Sequence, residues 1–158
     1  FVDTIKMSRR QSELAKKEDN DCVVRAFMAA LDIPYDKAHA WVKKNMLRED
    51  RKGTYTGKAI QLIEGKTKNG YKIGFMGLNP AKVCWQKVTG SNKILTNPKY
   101  KKQTGYTVKS FIENNPVGRF VLIIQGHAVA VINGVLYANT NENALGLYRS
   151  VWFGFEVK

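Results

Sequence analysis

The stretch Arg119-Phe120-Val121-Leu122-Ile123-Ile124-Gln125-Gly126-His127-Ala128-Val129-Ala130-Val131-Ile132-Asn133-Gly134-Val135-Leu136-Tyr137-Ala138 decides the fold. Its first run, Phe120 to Ile124, is apolar without a break, the pattern of a strand covered on both faces. Gly126 ends that run. A second apolar run, His127–Ile132, leads into Asn133-Gly134, the strongest short hairpin signal, because both central residues of a type I′ turn need positive φ. Arg119–Gln125, His127–Ile132 and Val135–Ala138 therefore read as three strands of an antiparallel meander. After a polar loop at Asn139–Asn143, Tyr148–Val157 reads as a fourth strand.

Outward from this core, Thr107 caps a helix over Val108–Asn114, which Pro116 and Gly118 end. The preceding Gly74–Tyr106 is rich in Gly, Pro, Asn and Lys and reads as loops, with short strands around Lys82–Val88 and Lys93–Leu95. A short helix is expected over Gly57–Ile63. Nearer the N-terminus, Cys22–Leu31 is helical and apolar on nearly every face, so it should be buried all round. Asn20 and Asp21 offer N-cap side chains to it, and Asp32 to Pro34 breaks it. Asp36 is placed to cap a second helix, Lys37–Asn45, with Ala38, Trp41 and Val42 on its apolar stripe. Helices first and a meander last indicate an α+β class. Residues 1–18 are basic and polar and read as an arm or a loosely packed first helix, leaving 19–158 as one domain.

The chain of 158 residues fits one core, and with 44% hydrophobic and 11% aromatic residues it is not a disordered tail. No apolar run approaches the roughly 20 residues of a membrane span, and no leader pattern is visible, so no membrane partner is expected. Lys and Arg number 26 against 13 Asp and Glu, a net charge of +13. Residues 1–109 carry 23 basic and 10 acidic side chains, and 110–158 carry three of each. Such a field draws polyanions or acidic proteins and weakens with salt, though it also suits a solvated, solubilising surface. Arg9, Arg10, Lys16 and Lys17 are the candidates for that contact. Cys22 and Cys84 are expected as reduced thiols in a cytosolic setting, since a domain of this size needs no staple. His39 and His127 stand at no ligand spacing to a cysteine, so neither metal nor cofactor is expected.

Three residues can carry chemistry. Cys22 opens the buried helix, where partial positive charge and unpaired N–H groups favour a thiolate and lower its pKa. The same place suits a small apolar residue packed at a helix start. His127 begins a strand, held by the sheet with its ring edge able to face a cleft; a histidine at a strand end can also simply meet solvent. Asn139 lies past the return strand, where its amide oxygen can accept from the imidazole N–H and fix the tautomer. Asn141 is the substitute, and either asparagine also fits a turn.

Asn20-Asp21-Cys22-Val23-Val24-Arg25-Ala26, with Tyr35-Asp36 after it, resembles the nucleophile segment of small papain-like proteins common in bacteriophage genomes. Thr107-Val108-Lys109-Ser110-Phe111, Asn115-Pro116-Val117-Gly118-Arg119-Phe120 and Gly126 to Tyr137 resemble the histidine segment of the same family. The resemblance covers the first helices and residues 107–137 and says little about 48–106. It implies a papain-like fold with the Cys helix packed on an antiparallel sheet that carries the His. It implies a Cys-His-Asn thiol hydrolase or peptidase on a peptide or protein substrate, in a bacterial host cytoplasm or a virion. Two positions depart from the pattern. Ala138 stands where relatives carry Asp, with Asn139 next. Lys16 and Lys17 stand where a papain-type oxyanion Gln would be, the nearest being Gln11, which leaves Asn20 or the Cys22 backbone N–H for that role. The alternatives are a catalytically silent papain-like virion or binding protein whose basic surface holds nucleic acid or an acidic host protein, and an unrelated nucleic-acid binder. For the last, no helix-turn-helix, zinc or RNP signature is present.

Overall fold

A computed structural model describes residues 1–46, 48–54, 83–84, 107–124, 126–139 and 146–157, with the backbone alone at 45, 83–84 and 152–157. In chain order these form β1 (Val2–Asp3), α1 (Thr4–Gln11), α2 (Glu13–Lys16), α3 (Cys22–Leu31), α4 (Tyr35–Asn45) and β2 (Val83–Cys84). There follow α5 (Val108–Asn114), β3 (Arg119–Ile124), β4 (His127–Ile132), β5 (Val135–Ala138) and β6 (Val151–Val157), with a 3-10 turn at Gly146–Tyr148 before β6. The strands lie in the order β1-β5-β4-β3-β6-β2. The four longer strands, β5, β4, β3 and β6, are mutually antiparallel. The class is α+β, as the order of elements indicates, but the sheet is mixed because β1 runs parallel to β5.

Of the two readings of residues 1–18, an arm or a first helix, the helix is what forms, and the parallel pair packs it into the domain. Val2 and Asp3 join the sheet beside Tyr137 and Ala138, and Thr4, Ser8, Ser12 and Ala15 are buried. Thr4, Ser8 and Ser12 are buried among only a few apolar residues of this segment, Met7, Leu14 and Ala15, that pack on the core, so its apolar stripe is thin. Ser12 illustrates how the buried hydroxyls are satisfied: it accepts from Ala15 N–H and donates to Asp36. Asp36 lies inside the first turn of α4 rather than at its cap, because the helix starts at Tyr35 with Pro34 as the N-cap.

The pleat divides β3 and β4 between two cores. Val121, Ile123, Ala128, Ala130 and Ile132 pack against α3 and α4. Phe120, Leu122, Ile124, Val129 and Val131 pack against Val108 and Phe111 of α5. Covering on both faces explains the unbroken apolar runs. In α3 nine of the ten residues are buried, with Val24, Met28 and Ala30 fully enclosed. Each large side chain buried there contributes about 1.5–3 kcal/mol. The helix ends at Asp32 in the left-handed region (φ 53), and Arg119 donates to the carbonyls of Ala29 and Ala30 at 2.8 and 2.7 Å. A cation on the last carbonyls complements the helix dipole and ties α3 to β3.

Thr107 caps α5 as expected, in a reciprocal capping box with Ser110. Asn133 and Gly134 take φ of 47° and 78°, the signs a type I′ turn requires. The expected helix over 57–63 and strand over 93–95 lie outside the described residues. Of the strand expected over 82–88, Val83 and Cys84 are described and pair with β6. Among the described residues no helix is long and apolar enough to cross a membrane.

Candidate functional site

A cavity of about 380 Å³ opens where the N-terminus of α3 meets the ends of β4 and β5. Cys22, His127, Asn139, Asn20 and Arg9 all line it. Three long-range connections and one local hairpin produce this meeting: β1 against β5, α3 on β4, the 48–54 segment bonded to residues just ahead of Cys22, and the β4–β5 turn.

Cys22 is the first residue of α3, half-buried at the edge of the α3–sheet core. Burial pushes its thiol up, and the backbone N–H of Ala128, the nearby Arg25 charge and the Val23 N–H offset this only in part. The expected lowering by the helix end is therefore outweighed: withdrawing the sulfur from water disfavours its charged form more than the local dipoles favour it.

His127 is the first residue of β4 and pairs with Ile124 of β3. Ile124 belongs to the core on the α5 side, whereas Ala128 faces α3. The register thus puts His127 on the α5 side of the sheet, while Cys22 heads α3 on the other side, and both line the cavity at this end of the molecule. Gly126, with φ 65°, makes the reversal between β3 and β4 in the left-handed region where glycine has no Cβ to hinder it. Burial, and then the positive charges of Arg149 and Arg25, lower the His127 pKa from 6.5 to about 4. At neutral pH the imidazole is therefore uncharged, and it is a weaker base than an ordinary histidine.

Asn139 follows β5. Ala130 pairs with Tyr137, so the same register places Asn139 level with Ala128, on the α3 side. Its amide oxygen accepts from Arg25 Nη1 rather than waiting for an imidazole. Arg25, 5% exposed, also donates to Asp21 at 2.8 Å and to Thr4 at 2.8 Å. Asp21 in turn accepts from the Tyr35 hydroxyl at 2.7 Å, and burial with Asp21 holds that phenol protonated. Asp21 stands at the N-cap position of α3 without a side-chain cap, because its carboxylate is spent on Arg25 and Tyr35. Sequence reasoning passed over this network. Its one signal was a lone arginine inside an otherwise apolar helix, which must find partners to be buried.

No family model, curated protein or solved structure matches this chain.

Asn20, the proposed oxyanion donor, sits in the left-handed region (φ 53) just before Asp21, a conformation asparagine tolerates. Its amide nitrogen donates to the Arg51 carbonyl at 3.1 Å, so it serves to hold the 48–54 segment against the cavity. Gln11 lies outside the cavity lining, where its amide accepts from Tyr35 N–H at 2.9 Å. Asn141 lies outside the described residues. Arg9, Arg10, Lys16 and Lys17 are exposed; Arg9 alone of the four lines the cavity, and Lys16 pairs with Glu13 at 2.6 Å.

Proposed function

We propose that this cavity is the site of a papain-like thiol hydrolase, phage-encoded, that cleaves peptide or isopeptide bonds. One observation carries the reading: a cysteine at the first residue of a buried helix, a histidine at the first residue of a strand and an asparagine past the next strand line one cavity, in that chain order. Because burial keeps the thiol protonated and the imidazole neutral, proton transfer accompanies attack rather than preceding it. His127 takes the Cys22 proton as sulfur bonds to the carbonyl carbon. The resulting oxyanion is met by backbone N–H groups at the start of α3, which have no partner within the helix. The C–N bond then breaks, His127 returns the proton to the departing amine, and a thioester remains on Cys22. Water, deprotonated by His127, hydrolyses that thioester and regenerates the thiol. Arg25 holds Asn139 at the cavity wall, where it orients groups rather than reacting.

The second reading is a papain-like scaffold without turnover, and the register that puts His127 on the α5 side of the sheet, away from the helix that carries Cys22, favours it. Incubating the protein with a complex peptide mixture and sequencing the products by mass spectrometry separates the two. Turnover predicts new termini that vanish with Cys22→Ala and fall by a factor on the order of 10²–10⁴ with His127→Ala. Identical product spectra from the wild type and Cys22→Ala would overturn the hydrolase reading and leave the scaffold.

A further inference from the structure

Glu18, His39 and Asp50 bring one ligand atom each within 4.8 Å of one another. Glu18 and His39 are 5% and 6% exposed, while Asp50 stands at the surface. His39 Nε2 is 3.5 Å from Glu18 Oε2 and 3.6 Å from Asp50 Oδ1, and it makes no hydrogen bond. Both separations are beyond a good N–H···O bond. A buried imidazole nitrogen without a partner is disfavoured, because it has given up water and gained nothing in exchange. We propose that these three residues form a zinc site that clamps the 48–54 segment to α4.

The distances suit an ion better than a proton. Ligand atoms about 2.0–2.1 Å from a tetrahedral zinc stand roughly 3.3–3.4 Å from one another. The two observed separations from His39 are slightly longer, so a small inward movement of each group completes the coordination. One imidazole and two carboxylates are ligands that zinc accepts, and water takes the fourth position. Arg48 Nη2 and, at 3.3 Å, the Arg51 N–H both donate to Glu18 Oε2, the oxygen nearest His39, and so orient the carboxylate. Arg48 subtracts from the affinity through its charge. Lys43, half-exposed and 3.2 Å from Asp50, is the cation that an entering ion displaces. Glu18, Gly53 and Thr54 also line the Cys22 cavity, so the ion braces one wall of it without touching the cysteine. The proposal is independent of what reaction that cavity supports.

The test uses the full chain, stripped with chelator and dialysed against micromolar zinc, with bound metal read by elemental analysis and Tm by thermal unfolding. The wild type should retain one zinc and gain several degrees in Tm. Asp50→Asn, at an exposed position that leaves the fold intact, should weaken binding at least about tenfold. Lys43→Met should tighten it, which loss of a structural contact would not do. Zinc held on thiols is the same in all three proteins. Failure to retain zinc, or equal retention by the wild type and Asp50→Asn, would overturn the site.

Discussion

Arg25 in the first turn of α3 donates to the amide oxygen of Asn139, 114 residues further along the chain. The same guanidinium holds Asp21 and Thr4, so one buried cation joins β1–α1, the start of α3 and the end of β5. Removing it leaves the Asp21 carboxylate buried without its counter-charge. Arg25→Met should therefore cost about 3–5 kcal/mol and lower Tm by roughly 6–20 °C for a domain of this size. Asn139→Ala should cost only about 1 kcal/mol. Urea titrations of both variants measure this, and an Arg25→Met protein as stable as the wild type would show that the network contributes nothing net.

The His127 shift gives a pH dependence of definite sign. Its folded pKa is about 4, below the ordinary 6.5, so the unfolded chain binds the extra proton in between. Stability on this account is full above pH 6.5 and declines as pH falls toward 4, by at most about 3 kcal/mol for the whole shift. His127→Gln removes that loss. Comparing unfolding free energies at pH 7 and pH 4.5 isolates the effect from the carboxylates common to both proteins. An equal decline in the wild type and the variant would mean that the histidine is not held neutral.

For Cys22, burial dominates and the thiol stays protonated at neutral pH. Its alkylation by iodoacetamide should rise steadily with pH well into the alkaline range, where thiolate becomes available. A rate already level at pH 7 would indicate a preformed thiolate–imidazolium pair instead. Peptide mapping by mass spectrometry distinguishes Cys22 from Cys84 in the same sample.

The hairpin and the two principal helices were legible because each rests on local chemistry. Asn133-Gly134 sets its own turn, Thr107 caps its own helix, and the apolar faces of Cys22–Leu31 state their burial directly. What sequence could not supply is chemistry made across distance. Arg25 needs Asn139, and His39 meets Glu18 and Asp50 from positions that share no motif spacing. Residues 1–18 read as an arm or a loosely packed first helix because Thr4, Ser8 and Ser12 are buried by way of hydrogen bonds, with only Met7, Leu14 and Ala15 adding apolar contact. Cys22, His127 and Asn139 line one cavity, but the Cys22 thiol is pushed up rather than down, because a helix terminus comes with the desolvation that accompanies its burial.

Charge and chemistry should separate. Arg9, Arg10, Lys16 and Lys17 are exposed on α1 and at α2, whereas His127 and Asn139 lie in the part of the chain that carries no excess charge. If this face holds nucleic acid, each phosphate contact releases a counterion, and log K falls with log salt by about 0.9 per contact on duplex DNA. Reversing all four charges should then weaken binding and make that slope shallower by up to about 3–4. Cys22→Ala should bind as the wild type does, because it changes no charge at this surface. Fluorescence anisotropy with a labelled oligonucleotide, repeated with an acidic polypeptide between 50 and 200 mM salt (on the order of the range where such binding collapses), reads both effects. Binding to the oligonucleotide alone assigns the face to nucleic acid, and binding to the polypeptide alone assigns it to an acidic protein. Affinity for neither would reduce the charge of +13 to a property of solubility.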